Sequence, residues 1–93
     1  IVNAIEAVKD RAEPRIILSA YTSANRRTVI KVSDNGIGMP EEVVDKIFIP
    51  FFSTKKNGSG IGLSLCKQIM MLHRGNVQVQ SIEGQGTAFM MQF

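Results

Sequence analysis

The apolar residues Ile1, Ala4, Ile5 and Val8 recur at helical spacing and stop short of Pro14. That pattern predicts a helix already under way at the first residue, hence a chain truncated at its N-terminus. Residues 15–22 (RIILSAYT) and 28–33 (TVIKVS) are strand-like runs flanking the polar turn Ser23-Ala24-Asn25-Arg26, which predicts a hairpin. Pro40 followed by Glu41 and Glu42 marks a helix start, with the acids near the positive dipole end, and a short helix to about Ile47 is expected. Residues 48–60 (FIPFFSTKKNGSG) break every period and read as a loop. From Ile61 the stripe Ile61, Leu65, Ile69 and Leu72 predicts a helix packed on that face, with Ser64, Lys67 and Arg74 largely off it and Gly75 as the stop. Val77 and Val79 alternate with Gln78 and Gln80. After Glu83-Gly84-Gln85-Gly86, Phe89, Met91 and Phe93 alternate with Ala88, Met90 and Gln92, giving a second hairpin. The expected fold is α+β, a two-layer sandwich with a mostly antiparallel sheet and its helices on one face.

Composition narrows this only slightly. At 93 residues and 44% hydrophobic, the chain is expected to form one domain, residues 1–93, with a small but adequate core. Its net charge of +3 is scattered as single residues and pairs, Arg26-Arg27 and Lys55-Lys56, so no nucleic-acid stripe is expected and a small anionic ligand suits it equally well. Cys66 is the single cysteine, and no apolar run approaches the roughly 18 residues of a membrane span. With no signal-peptide pattern, the expected setting is the reducing cytoplasm.

Three stretches carry candidate chemistry. In DNGIGMP, residues 34–40, Asp34 ends a strand and so has a fixed carboxylate, while Gly36 and Gly38 let the backbone bend and a flat ligand approach. Such an acceptor suits an exocyclic amine like that of adenine, although the same residues also make ordinary turns. In GSGIGL, residues 58–63, three glycines open a helix whose free N–H groups and dipole favour phosphate. Neither a Walker loop nor a Rossmann turn matches it, and a flexible linker has the same composition. In VNAIEA, Asn3 lies one helical turn before Ala7, placing an amide oxygen beside a small side chain. Magnesium that leans on substrate phosphates needs little more from a protein, and a surface asparagine looks the same in sequence.

Together with EGQGTAF at 83–89, these stretches resemble, over almost the whole chain, the ATP-binding domain of sensor histidine kinases. That domain belongs to the gyrase, chaperone, kinase and mismatch-repair ATPase superfamily, and the resemblance implies its Bergerat-type fold. Asn3 matches the magnesium-binding asparagine of the N box, which also contains Ala7. Asp34, Gly36, Gly38 and Met39 match the first glycine box, whose aspartate binds the adenine amine. Phe48, Phe51 and Phe52 match the phenylalanine box. Gly58, Ser59, Gly60, Ile61, Gly62 and Leu63 match the second glycine box at the hinge of an ATP lid, about residues 40–60, and Gly84, Gly86 and Thr87 match the third.

PFFSTK resembles the nitrogen-regulation type, in which Lys55 would sit near the terminal phosphate, as its compact charge suits. Phe51 and Phe52 fit either lid-to-core packing or docking of the phosphoacceptor domain.

The resemblance implies a protein-histidine kinase domain that binds ATP and Mg2+ and serves a histidine on a separate helical-hairpin domain of the same or a partner subunit. A response regulator is involved indirectly, and a membrane only through upstream regions, so the cytoplasmic setting includes the cytoplasmic part of a membrane-bound sensor. The superfamily position one turn before Asn3, glutamate in the ATPases, lies ahead of this sequence, so an ATPase, a serine kinase or a non-catalytic nucleotide-binding module stays open. HRGN at 73–76 departs from the family's His-Gly-Gly. His73, in a last helical turn, is not expected to be the phosphorylated histidine. Cys66 and the methionines Met70, Met71, Met90 and Met91 read as packing residues.

Overall fold

Four strands of seven residues form one open sheet in the order β1-β2-β4-β3: β1 Ile16–Thr22, β2 Thr28–Asp34, β3 Asn76–Ile82 and β4 Gly86–Gln92. The computed structural model describes residues 2–52 and 62–93, and all three strand pairings within them are antiparallel. Among the described residues three helices complete the α+β fold: α1 (Val2–Val8), α2 (Glu41–Val44) and α3 (Gly62–Leu72). None of them is long and apolar enough to cross a membrane.

Both expected hairpins form, and their turn chemistry is visible. In the β1–β2 turn the Ser23 N–H donates to the Arg27 carbonyl at 2.8 Å, while the Ser23 hydroxyl meets the Asn25 side chain. In the β3–β4 turn Gly84 takes φ +84°, a conformation that favours glycine.

Directly paired residues share a sheet face. Ile30, Val32 and Asp34 of β2 therefore stand beside Met91, Phe89 and Thr87 of β4, and these beside Val77, Val79 and Ser81 of β3. On β3, Val77 is buried while Gln78 and Gln80 are exposed, so α2 and α3, which pack on β3, lie on the Val77 side. Helix α1 packs on β2 and buries Ala4 and Val8, one turn apart.

Helix α2 ends at Val44, three residues earlier than the sequence pattern suggests. Beyond it the chain continues in tighter turns, with Lys46 N–H donating to Val43 and Ile49 N–H to Lys46, each a bond spanning three residues, and Ile47 is still buried.

The face of α3 differs more. Leu65, Ile69 and Leu72 are exposed, Leu72 by 84%, whereas Ser64 and Met70 are buried and Leu63 and Cys66 half-buried. Leu63, Cys66 and Met70 also have helical spacing, and the segment is apolar around most of its circumference. Periodicity alone could not choose between two apolar stripes about 100° apart per residue of offset. Ile61 lies outside the described residues. Met70 is core at 3% exposure, but Met71 is exposed and is not core filler.

The stop of α3 is also relocated. The Arg74 N–H donates to the Met71 carbonyl at 3.0 Å and the Gly75 N–H to the Met70 carbonyl at 2.7 Å, the paired bonds of a Schellman cap. Arg74, at φ 58°, occupies the left-handed position where glycine is favoured. Gly75 is needed for space instead, because a Cβ there would fall 2.4 Å from the Gln92 carbonyl oxygen. Arg74→Gly is therefore expected to stabilise the protein by about 1 kcal/mol, the relieved left-handed strain outweighing the added freedom of the unfolded chain. Thermal or urea unfolding measures this, and a variant no more stable than the parent would contradict the cap.

Candidate functional site

One end of the sheet gathers most of the predicted site residues that lie among the described ones. Strand β2 runs through Asp34, whose Oδ1 accepts the Gly36 N–H at 2.9 Å, an Asx turn that fixes the carboxylate. A carboxylate has further lone pairs beyond that bond, so it retains capacity to accept from a ligand. Asn35 ties the loop to the segment after α1: its Oδ1 accepts the Arg15 N–H at 2.7 Å and its Nδ2 donates to the Glu13 carbonyl at 2.8 Å.

The two glycines of this loop are required by close approach. The Ile37 N–H donates to the Ala7 carbonyl at 3.1 Å, and a Cβ on Gly36 would sit 2.5 Å from that oxygen. Gly38, at φ +66°, lies against the Ile82 carbonyl, and the Gly84 N–H donates to the Ile37 carbonyl at 2.6 Å. The first and third glycine-containing turns are thereby laced together, with the C-terminal half of α1 against them.

Thr87 is the direct partner of Asp34 in the β2·β4 register, so the two side chains share a face. Thr87 is buried, and its hydroxyl lies 2.8 Å from that of Ser81. Ser81 in turn accepts the Met39 N–H at 2.9 Å and donates to the Gly86 carbonyl at 3.0 Å.

The structure thus brings together Ala7, Asp34, Gly36, Gly38, Met39 and Thr87. Asn3 is exposed one turn earlier on α1, and Gly62 and Leu63 open α3. Lys55, Gly58, Ser59, Gly60 and Ile61 lie outside the described residues.

In the phenylalanine stretch, Phe48 is half-buried with the Lys67 ammonium 5.3 Å from its ring centroid, a cation–π contact to α3. Phe52 is half-buried, but Phe51 is 79% exposed at φ 68°, so it does not pack onto the core.

Two residues of the cluster were not singled out in the sequence. Ser81 had a readable signal, since it continues the inward parity of Val77 and Val79 as a polar residue beside Thr87. Arg11 had none: its Nη2 donates to the Gly36 carbonyl at 2.6 Å and to the Gly84 carbonyl at 2.5 Å, contacts that no local period announces.

At this end of the sheet an acid and a buried threonine stand side by side between two glycine turns. The chain belongs to the histidine kinase-, DNA gyrase B-, and HSP90-like ATPase family, whose pattern matches residues 1–93. It is 37% identical over 89 residues to the signal transduction histidine-protein kinase AtoS of Escherichia coli K12, covering 96% of this chain and 14% of that protein. Sporulation kinase D of Bacillus subtilis 168 is 35% identical over 85 residues, 91% of this chain and 16% of that protein. The chain therefore spans a small part of the length of these relatives. Among solved structures, the nucleotide-free catalytic domain of histidine kinase ThkA superposes with a TM-score of 0.79 at 32% identity, covering 99% of this chain and 59% of that one. Full-length ShkA in complex with AMPPNP superposes with a TM-score of 0.77 at 28% identity, over 96% of this chain and 19% of that one. The fold is that of the histidine kinase catalytic domain.

Proposed function

We propose that residues 1–93 form the catalytic domain of a two-component sensor kinase, which binds ATP with Mg2+ and presents the terminal phosphate to a histidine on a separate helical-hairpin domain. The observation that carries this reading is the pairing of Asp34 with Thr87 between two laced glycine turns, in a fold whose solved neighbour ShkA was crystallised with the nucleotide AMPPNP.

Each role follows from chemistry. Asp34 accepts from the adenine amine, beside Gly36, Gly38, Met39 and Thr87. Asn3 offers an amide oxygen on the exposed side of α1, the kind of hard donor that suits a magnesium ion bound mainly through phosphate. When bound, that ion neutralises phosphate charge. The second glycine box contacts the phosphates, helped by the N–H groups at the start of α3, and Lys55 steadies the terminal one. Of the span about 40–60 assigned to the lid over the nucleotide, α2 packs on β3 and Ile47 is buried, so the lid role falls to the residues that follow Ile47. Phosphoryl transfer asks mainly for position and charge neutralisation, so the nucleophile comes from the acceptor histidine, and a response regulator is served only through it.

His73 cannot substitute for that acceptor. It follows α3, whose 11 residues from Gly62 make a rod about 16 Å long, while transfer needs reacting atoms within about 3.5 Å. The chain alone, incubated with terminally labelled ATP, is expected to stay unlabelled. With its cognate helical-hairpin domain added, that partner should gain an acid-labile, base-stable phosphohistidine, and Asn3→Ala should abolish the transfer. Label on His73, or label released only as free phosphate, would reject the kinase reading, the second result in favour of an ATPase.

A further inference from the structure

We propose that Arg11 is a positioning residue for the nucleotide site, its single terminal nitrogen clamping the two glycine turns that flank Asp34 and Thr87. The proposal rests on the nucleotide-binding reading above. Both N–H groups of Nη2 are used, one on the Gly36 carbonyl at 2.6 Å and one on the Gly84 carbonyl at 2.5 Å. These acceptors lie 25 and 73 residues away in the chain.

Arg11 Nε is buried with no hydrogen-bond partner among the described residues, a cost set against the two carbonyls that an apolar side chain would leave without this donor. What the guanidinium supplies is a charge-assisted bond to each turn from one rigid, planar group. Gly36 is also the residue whose N–H holds Asp34 Oδ1. Displacing Gly36 therefore frees the carboxylate to rotate, while the strand ladder on either side of it stays paired. The bonds that remain between the turns, Gly84 N–H to Ile37 and Met39 N–H to Ser81, involve neutral groups and are weaker. Arg11 thus acts through Asp34, with no contact to the nucleotide required.

The test is calorimetric titration of ATP and GTP into the full-length protein as wild type, Arg11→Met and Arg11→Lys, with thermal unfolding of each. Arg11→Met should weaken ATP binding by about tenfold and narrow the preference for ATP over GTP at temperatures where the variant is folded. Arg11→Lys keeps a cation with several donors and should recover part of both losses. A folded Arg11→Met protein with wild-type ATP affinity and an unchanged ATP-to-GTP ratio overturns the proposal. If Arg11→Met does not fold, Arg11→Lys decides: a narrowed ratio supports the clamp and a wild-type ratio overturns it. A wild-type protein that binds neither nucleotide instead removes the nucleotide reading itself, a result distinct from binding that ignores Arg11.

Discussion

Asp34→Ala should bind ATP about a hundredfold more weakly than the wild type while remaining folded, because it deletes a charged acceptor and leaves the strand ladder intact. The carboxylate stands on the last residue of β2 and is half-buried, with one oxygen held by Gly36. Its backbone pairing with Ile16 and Thr87 does not depend on the side chain. The role proposed for Asp34 also predicts selectivity. An acceptor aimed at an exocyclic amine meets a carbonyl in guanine, and a site built to bond one group rejects the other steeply, by factors that reach about ten thousand. Titration of the wild type with ATP and GTP, followed by the alanine variant, measures both effects. Equal affinity of the wild type for the two nucleotides would remove Asp34 from its role.

Gly86→Ala should be the more damaging change to the fold. Gly86 sits at φ +144°, a region that side-chain-bearing residues rarely enter. A Cβ there would lie 2.1 Å from the Asp34 carbonyl oxygen and 3.1 Å from the Asn35 Cα, so main chain must move. Strain of this kind together with overpacking is expected to destabilise by about 3 kcal/mol or more, lowering the melting temperature of a chain this size by roughly 15 °C. The displaced atoms belong to Asp34 and Asn35, so nucleotide affinity should fall along with stability. Thermal unfolding checks the first part, and a Gly86→Ala protein as stable as the wild type would show that the turn has room the geometry denies it.

Those two positions also illustrate what a reader of the sequence could see. Asp34, Gly36 and Gly38 announce themselves because strand ends and tight turns have a short chemical vocabulary, and both hairpins follow from alternation with polar turns between, whereas Thr87 is reached only through the family resemblance. Elsewhere the vocabulary is ambiguous. On α3, Leu65, Ile69 and Leu72 make as regular a stripe as Leu63, Cys66 and Met70, and only the packing against β3 decides which is buried. Arg74 in the left-handed cap position reads as an ordinary polar residue, and Gly75 beside it as the obvious stop. Arg11 is less legible still, since its meaning lies in two carbonyls far along the chain that meet only after β2, β3 and β4 have paired.

The sheet has a second end, marked by the pairing of Thr22 with Thr28 beside the Ser23–Arg27 turn. Six residues of extended strand separate Thr28 from Asp34, about 20 Å, so that turn and the Asp34 cluster occupy opposite ends of β2. Lengthening the Glu83–Gln85 turn would unlace Gly84 from Ile37 and separate it from Arg11, whereas extra residues at Ala24 or Asn25 would leave every hydrogen bond of the cluster in place. Length variation across descendants of such a chain is therefore free to accumulate at one pole of the sheet and is barred from the other. A reporter or tag spliced between β1 and β2 would ride on the molecule without touching its chemistry.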